Sequence, residues 1–320
     1  MGGALVTVEE IVADAEAAVS DGVWPAHPED GEVTDDELLT LYLGAAGVVW
    51  ALRRLGSPVE LERTALDDPS PSLFAGETGI LLVTGADDAR LQELVDANER
   101  NPAWELLYGS AGTILAARAR GLDWRRSAEL LAEEWERGDG LWTQTLGGRE
   151  FQFLGPAHGL AGNVHVLRGF LDDDELRRRI EPVLREHAVW DGETVNWPPV
   201  VGAEADRVQW CHGAPGIVTT LGDLLPEDLL LAAAELTWRT GPLAKGQGLC
   251  HGTAGNGYAL LRTWELTGDE LWLERACSFA DAALEQCDHR YSLYTGDVGA
   301  ALFARACDAR DARFPIMDVL

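Results

Sequence analysis

Seven Gly-x-x-Gly steps, each running into an apolar stretch, constrain this 320-residue chain more than any other feature. They are Gly44-Ala-Ala-Gly47, Gly76-Glu-Thr-Gly79, Gly109-Ser-Ala-Gly112, Gly159-Leu-Ala-Gly162, Gly213-Ala-Pro-Gly216, Gly252-Thr-Ala-Gly255 and Gly296-Asp-Val-Gly299. Successive second glycines lie 32, 33, 50, 54, 39 and 44 residues apart, which leaves room for two helices and a connection in each unit. After a step, apolar residues return at helical spacing, as in Val48, Val49, Ala51, Leu52 and Leu55, or Tyr258, Leu260, Leu261, Trp264 and Leu266. Further amphipathic helices are predicted over 91–98, 124–137, 174–187, 227–240 and 271–286, and strand-like alternation is nearly absent. The expected fold is all-α: a closed α/α barrel, or toroid, of seven helical hairpin repeats, forming one domain over 1–320. An open superhelix usually shows a more regular period. Glycines at the helix starts would let backbones approach closely and would set the inner-helix N-termini, with their exposed N–H groups, at one end of the barrel. The longest irregular stretches, 138–155 and 190–210, precede the fourth and fifth steps and are expected to frame a site.

Composition narrows the partners. With 46% hydrophobic residues the chain can bury a large core. No segment approaches the ~20 uninterrupted apolar residues of a membrane span. The N-terminal stretch is acidic (Glu9, Glu10, Asp14, Glu16) where a secretory signal is basic, so a cytoplasmic location is expected. Fifty-four acidic residues against 25 basic ones give a net charge of −29, which repels nucleic acid and anionic membranes alike. Lys245 is the only lysine beside 24 arginines, a bias that fits a high-salt cytoplasm or a GC-rich genome. Five cysteines (Cys211, Cys250, Cys277, Cys287, Cys307) are too few and too odd in number for a disulfide scaffold, which leaves metal binding or burial.

Two of the seven steps are preceded by Cys-His: Cys211-His212-Gly213 and Cys250-His251-Gly252. In a closed barrel of equivalent repeats these side chains share one rim, and thiolates with imidazole suit Zn²⁺. Three protein ligands and an open fourth position would make the site catalytic. The fourth step reads Gly155-Pro-Ala-His158-Gly159, which puts His158 in register with His212 and His251 as a candidate acid or base.

At these residues the chain resembles the lanthionine synthetase C family, LanC cyclases and stand-alone LanC-like proteins. The matching stretches are Gly155-Pro-Ala-His-Gly-Leu-Ala-Gly162, Trp210-Cys-His-Gly-Ala-Pro-Gly216, Gly248-Leu-Cys-His-Gly-Thr-Ala-Gly-Asn256 and Ser292-Leu-Tyr-Thr-Gly296. The resemblance implies a seven-fold α/α toroid with Zn²⁺ on Cys211, Cys250 and His251. It also implies His158 as acid/base, His212 as a second proton-transfer candidate and Arg207 as an active-site arginine. His212 stands where bacterial cyclases usually have tyrosine, which draws the chain towards the LanC-like group. Lys245-Gly-Gln-Gly-Leu-Cys250 resembles that group's glutathione-binding segment, Arg290 resembles a second thiol-binding arginine, and Ala312-Arg-Phe-Pro315 resembles its C-terminal tail. Dedicated cyclases carry an active-site aspartate ahead of the histidine motif, where this chain offers Asp139. The implied chemistry is thiolate addition to dehydroalanine or dehydrobutyrine in a peptide or protein, giving a thioether. The favoured thiol is small, such as glutathione or γ-glutamylcysteine. The alternatives are a lanthipeptide cyclase working with a dehydratase partner, and a non-catalytic zinc-dependent thiol-binding adaptor.

Overall fold

The structure, a computed structural model, describes residues 6–138 and 140–319. Among them are thirteen α-helices, three short 3-10 turns and two small hairpins. In chain order the first helices are α1 (Val8–Ala18), α2 (Ala45–Arg54), α3 (Glu77–Thr84), α4 (Asp88–Asn98), α5 (Ser110–Arg120) and α6 (Arg125–Arg137). There follow α7 (Leu160–Leu167), α8 (Asp173–Glu186), α9 (Ala214–Leu221), α10 (Glu227–Thr240), α11 (Thr253–Thr267), α12 (Glu270–Glu285) and α13 (Asp297–Ala309).

All seven glycine steps start a helix. Gly44, Gly76, Gly109, Gly159, Gly213, Gly252 and Gly296 are the N-caps of α2, α3, α5, α7, α9, α11 and α13, none with a side-chain cap. The second glycine has a packing reason. A Cβ on Gly47, Gly112, Gly162, Gly216 or Gly299 would lie 1.8–2.3 Å from the carbonyl oxygen of the residue six positions earlier. The turn before each of these five helices is thus folded back onto the helix's first turn, and only hydrogen fits between them. Gly112→Ala would drive a methyl group to 2.3 Å from Leu106 O and 3.0 Å from Leu73 Cβ. It is expected to destabilise the protein by about 1–3 kcal/mol, read as a lowered thermal midpoint; an unchanged midpoint would refute this account of the step.

The chain packs as two compact units. One holds residues up to Ser70, Phe74–Ala86 and Gly241–Arg313; the other holds Pro71–Leu73, Asp87–Thr240 and the residues from Phe314 onward. In the first, the glycine-step helices neighbour one another in the order α11, α13, α2, α3, while α12 packs on α11 and α13, and α1 on α13. In the second, α5, α7 and α9 form the row, with α4 and α6 on α5, α6 also on α7, and α10 on α9. Row helices are largely buried, and in α9 every residue is, the signature of a core helix. The others show one apolar stripe, as in α8, where Leu176, Ile180, Val183 and Leu184 are buried.

Two details depart from the helix-only reading. The irregular stretches carry antiparallel hairpins, β1 (Gln144–Leu146) with β2 (Arg149–Phe151) and β3 (Val189–Asp191) with β4 (Thr194–Asn196). Gly147 and Gly148, at φ 56° and 73°, form the two-residue turn of the first. No helix forms between α2 and α3, where Pro58, Pro69 and Pro71 stand and helix is disfavoured at and before each. Among the described residues no helix is long and apolar enough to cross a membrane.

Candidate functional site

The candidate residues sit on the turns that precede glycine-step helices, some in each unit. In the second unit His158 precedes α7, and its Nδ1 lies 2.9 Å from Glu105 Oε2. The Glu105 side chain is fully buried and His158 is 21% exposed. Glu105 is held by the start of α5: it accepts from the backbone N–H of Leu107 at 2.9 Å, Tyr108 at 2.5 Å and Gly109 at 3.0 Å. A carboxylate whose oxygens already accept from the backbone presents an acceptor to the imidazole, so Nδ1 of His158 carries the proton and Nε2 is left for chemistry.

His212 is buried, with its ring centroid 5.8 Å from that of His158. Phe153 lies 5.5 Å from the His158 ring and 5.9 Å from the His212 ring. Phe153 comes from the stretch 138–155, and a backbone bridge pairs it with Val200 of the stretch 190–210. The two irregular stretches therefore do frame the histidine pair. They are anchored by Trp142 and Trp197, whose indoles donate to Leu131 O at 2.8 Å and Leu184 O at 2.7 Å.

Cys211 is buried beside His212, and Gln209 Nε2 donates to its sulfur at 2.9 Å. Its carbonyl oxygen would lie 2.3 Å from a Cβ on Gly155, so the His158 turn rests directly on the Cys211 turn. Arg207 is exposed, but its backbone is fixed: Asn196 Nδ2 donates to Arg207 O at 3.0 Å while Asn196 Oδ1 accepts from Ala214 N at 2.8 Å.

The first unit repeats this construction. Cys250 is buried, its N–H donates to Tyr294 O at 2.8 Å, and Gly248 packs against the Thr295 backbone as Gly155 does against Cys211. Burial holds the His251 imidazole below the usual histidine range, with the positive charges of Lys245 and Arg290 adding to the effect and Asp30 opposing it. At neutral pH the ring is therefore neutral, the form that binds metal. Lys245 is exposed on the same loop. Arg290 is buried and paired with Asp30 and Glu29. Of the remaining cysteines, Cys287 and Cys307 have thiols pushed well up by burial, and Cys277 lies exposed on α12.

Glu105 is not among the sequence candidates; Asp139, which the sequence offers ahead of the histidine motif as a loop carboxylate, lies outside the described residues. A signal existed. Glu105 stands four residues before Gly109, the position that Thr40, Ser72 and Ser292 hold before Gly44, Gly76 and Gly296, and a carboxylate is the only acid there.

A helical fold built from seven glycine-step turns, with three of its seven histidines and two of its five cysteines on those turns, agrees with the comparison to known proteins. The profile described as lanthionine synthetase C-like protein matches residues 60–319, and the chain belongs to that family. It is 33% identical over 188 residues to the zebrafish (Danio rerio) protein named glutathione S-transferase LANCL1, covering 52% of this chain and 46% of that one. It is 33% identical over 186 residues to LanC-like protein GCL1 of Arabidopsis thaliana, covering 51% and 43%. The alignments thus span less than half the length of either relative.

Proposed function

We propose that this chain is a zinc-dependent enzyme that adds a low-molecular-weight thiol to dehydroalanine or dehydrobutyrine in peptides or proteins, forming a thioether. In this reading the chain is a single closed α/α toroid domain over 1–320, working in the cytoplasm, and a separate dehydratase supplies the dehydroamino acid. The observation that carries it is the pair of Cys-His-Gly turns, each presenting a buried thiol, in a chain of this family.

Cys211, Cys250 and His251 would hold Zn²⁺. Two thiolates and one imidazole are a zinc donor set that keeps a fourth position open, and an amide donor on the Cys211 sulfur together with a neutral His251 suits them to it. When bound, the metal lowers the thiol pKa so that thiolate exists at pH 7. The protein's own groups do the rest. Lys245 pairs with a carboxylate of the thiol, with Arg290 as a second cation. Arg207 offers positive charge to the enolate that forms as sulfur attacks Cβ. His158, oriented by Glu105 with its Nε2 free, takes up the proton that the thiol gives up and delivers it to Cα, and His212 is the alternative for this step.

Incubating the protein with a dehydroalanine peptide and glutathione should yield the glutathione thioether by mass spectrometry. Ring closure on a cysteine of the peptide, with no glutathione adduct, would identify a cyclase, and thiol binding without any thioether an adaptor. Lys245→Ala should weaken glutathione binding by about ten-fold or more, the worth of a charge-assisted hydrogen bond, with zinc content unchanged. Equal affinities in calorimetry would remove Lys245 from the thiol site.

A further inference from the structure

The Arg290 guanidinium is already engaged from within the chain. Its Nε donates to Asp30 Oδ1 at 2.9 Å, its Nη2 donates to the same oxygen, and its Nη1 lies 3.4 Å from Glu29 Oε2. Thr295 Oγ1 adds a further donor to Asp30 Oδ1 at 3.1 Å. The Arg290 and Asp30 side chains are only 6% and 7% exposed. Burying such a pair desolvates both charges, so its net contribution to stability is small. What it does create is a cradle shaped for one carboxylate, a guanidinium fork plus a hydroxyl, at the turn into α13. The cradle lies beside the turn of the candidate metal ligands, because the Cys250 N–H donates to Tyr294 O at 2.8 Å and Gly248 packs on the Thr295 backbone.

Asp30 reaches the cradle on a short segment. It ends a single 3-10 turn, Pro28–Asp30, which His27 caps by accepting from Glu29 N at 3.3 Å and which Gly31 terminates at φ 76°. Two backbone bonds hold the turn, Asp30 N–H to His27 O at 2.9 Å and Gly31 N–H to Pro28 O at 3.4 Å. His27 Nε2 adds a contact 3.6 Å from Asp288 Oδ2. Pro25, Ala26, Pro28, Glu29, Gly31 and Glu32 are exposed, so the segment has little core to leave behind.

We propose that Asp30 is an internal stand-in for a carboxylate of the thiol substrate, and that residues 27–31 form a strap which must withdraw before a carboxylate-bearing thiol can reach Arg290 and Thr295. This rests on the reading of the site as a small-thiol site. The strap would set specificity as well as access. A thiol lacking a carboxylate has no use for the exchange, whereas one that carries it binds with an apparent Kd raised by the scarcity of the open strap.

The test compares the purified zinc protein with its Asp30→Asn variant by calorimetry, using glutathione and 2-mercaptoethanol as probes. Asparagine keeps the size but not the charge. The variant should bind glutathione about ten-fold more tightly and 2-mercaptoethanol no differently. Equal or weaker glutathione binding by the variant overturns the strap while leaving the thiol site intact. Failure of both proteins to bind glutathione overturns the thiol reading, and the strap with it. Should Asp30→Asn not fold, the parent protein still decides: saturating glutathione should speed hydrogen exchange at the Asp30 and Gly31 amides, and unchanged exchange overturns the proposal.

Discussion

Protein carrying Cys250→Ala should be recovered with little zinc and should form thioether at about one hundredth of the parental rate or less. A three-ligand site that loses one thiolate keeps two protein ligands, too few to hold zinc tightly. The rate follows from the thiol. With a pKa near 8.5, a free thiol is only about 3% ionised at pH 7, so losing the metal forfeits about 30-fold from ionisation alone. Loss of the fixed position of the sulfur adds roughly ten-fold or more. Cys211→Ala and His251→Ala should behave alike. Cys277→Ala, Cys287→Ala and Cys307→Ala are the controls and should keep the metal, since these thiols lie on or beside α12 and α13 rather than on glycine-step turns. Elemental analysis checks it, and full zinc in Cys250→Ala would sink the ligand assignment.

The glycine steps were legible in the sequence because their cause is steric and local. A second glycine is needed wherever the carbonyl six residues back presses on the helix, and that requirement does not depend on what lies elsewhere in the chain. The helices at 91–98, 124–137, 174–187, 227–240 and 271–286 were likewise legible to within a few residues, because their apolar stripes repeat at the helical period. The hairpins were not. Three-residue strands such as Gln144–Leu146 are too short to show an alternation, and only Gly147-Gly148 marked the first turn. Site residues divide in the same way. His158 and His212 were visible by register, and the structure stacks their rings. Glu105 was marked only by its place four residues before Gly109, and its role is set by a partner 53 residues away. Arg290 was read only as a cation, since nothing in its neighbours reveals that Asp30, 260 residues earlier, fills its fork.

His158→Asn is expected to retain zinc and thiol affinity while slowing thioether formation by roughly 10²-fold or more, the usual worth of a positioned acid or base. Glu105→Gln tests the same step through the imidazole's orientation. Glu105 uses one oxygen for the Tyr108 and Gly109 amides and the other for Leu107 and His158. Glutamine can keep the first set with its carbonyl, but it then points an amide N–H at His158 Nδ1 and at the Leu107 N–H. The imidazole must accept that hydrogen bond, so its proton moves to Nε2, the wrong tautomer for a base at that atom. A slowing of about 10-fold to 10²-fold is expected, with zinc unchanged. The stability cost should be about 1–3 kcal/mol, because the Leu107 amide loses its acceptor. The two readouts separate the roles of the carboxylate. A lowered thermal midpoint with a parental rate would make Glu105 only a cap for α5, and a parental rate in His158→Asn would leave His212 to move the proton.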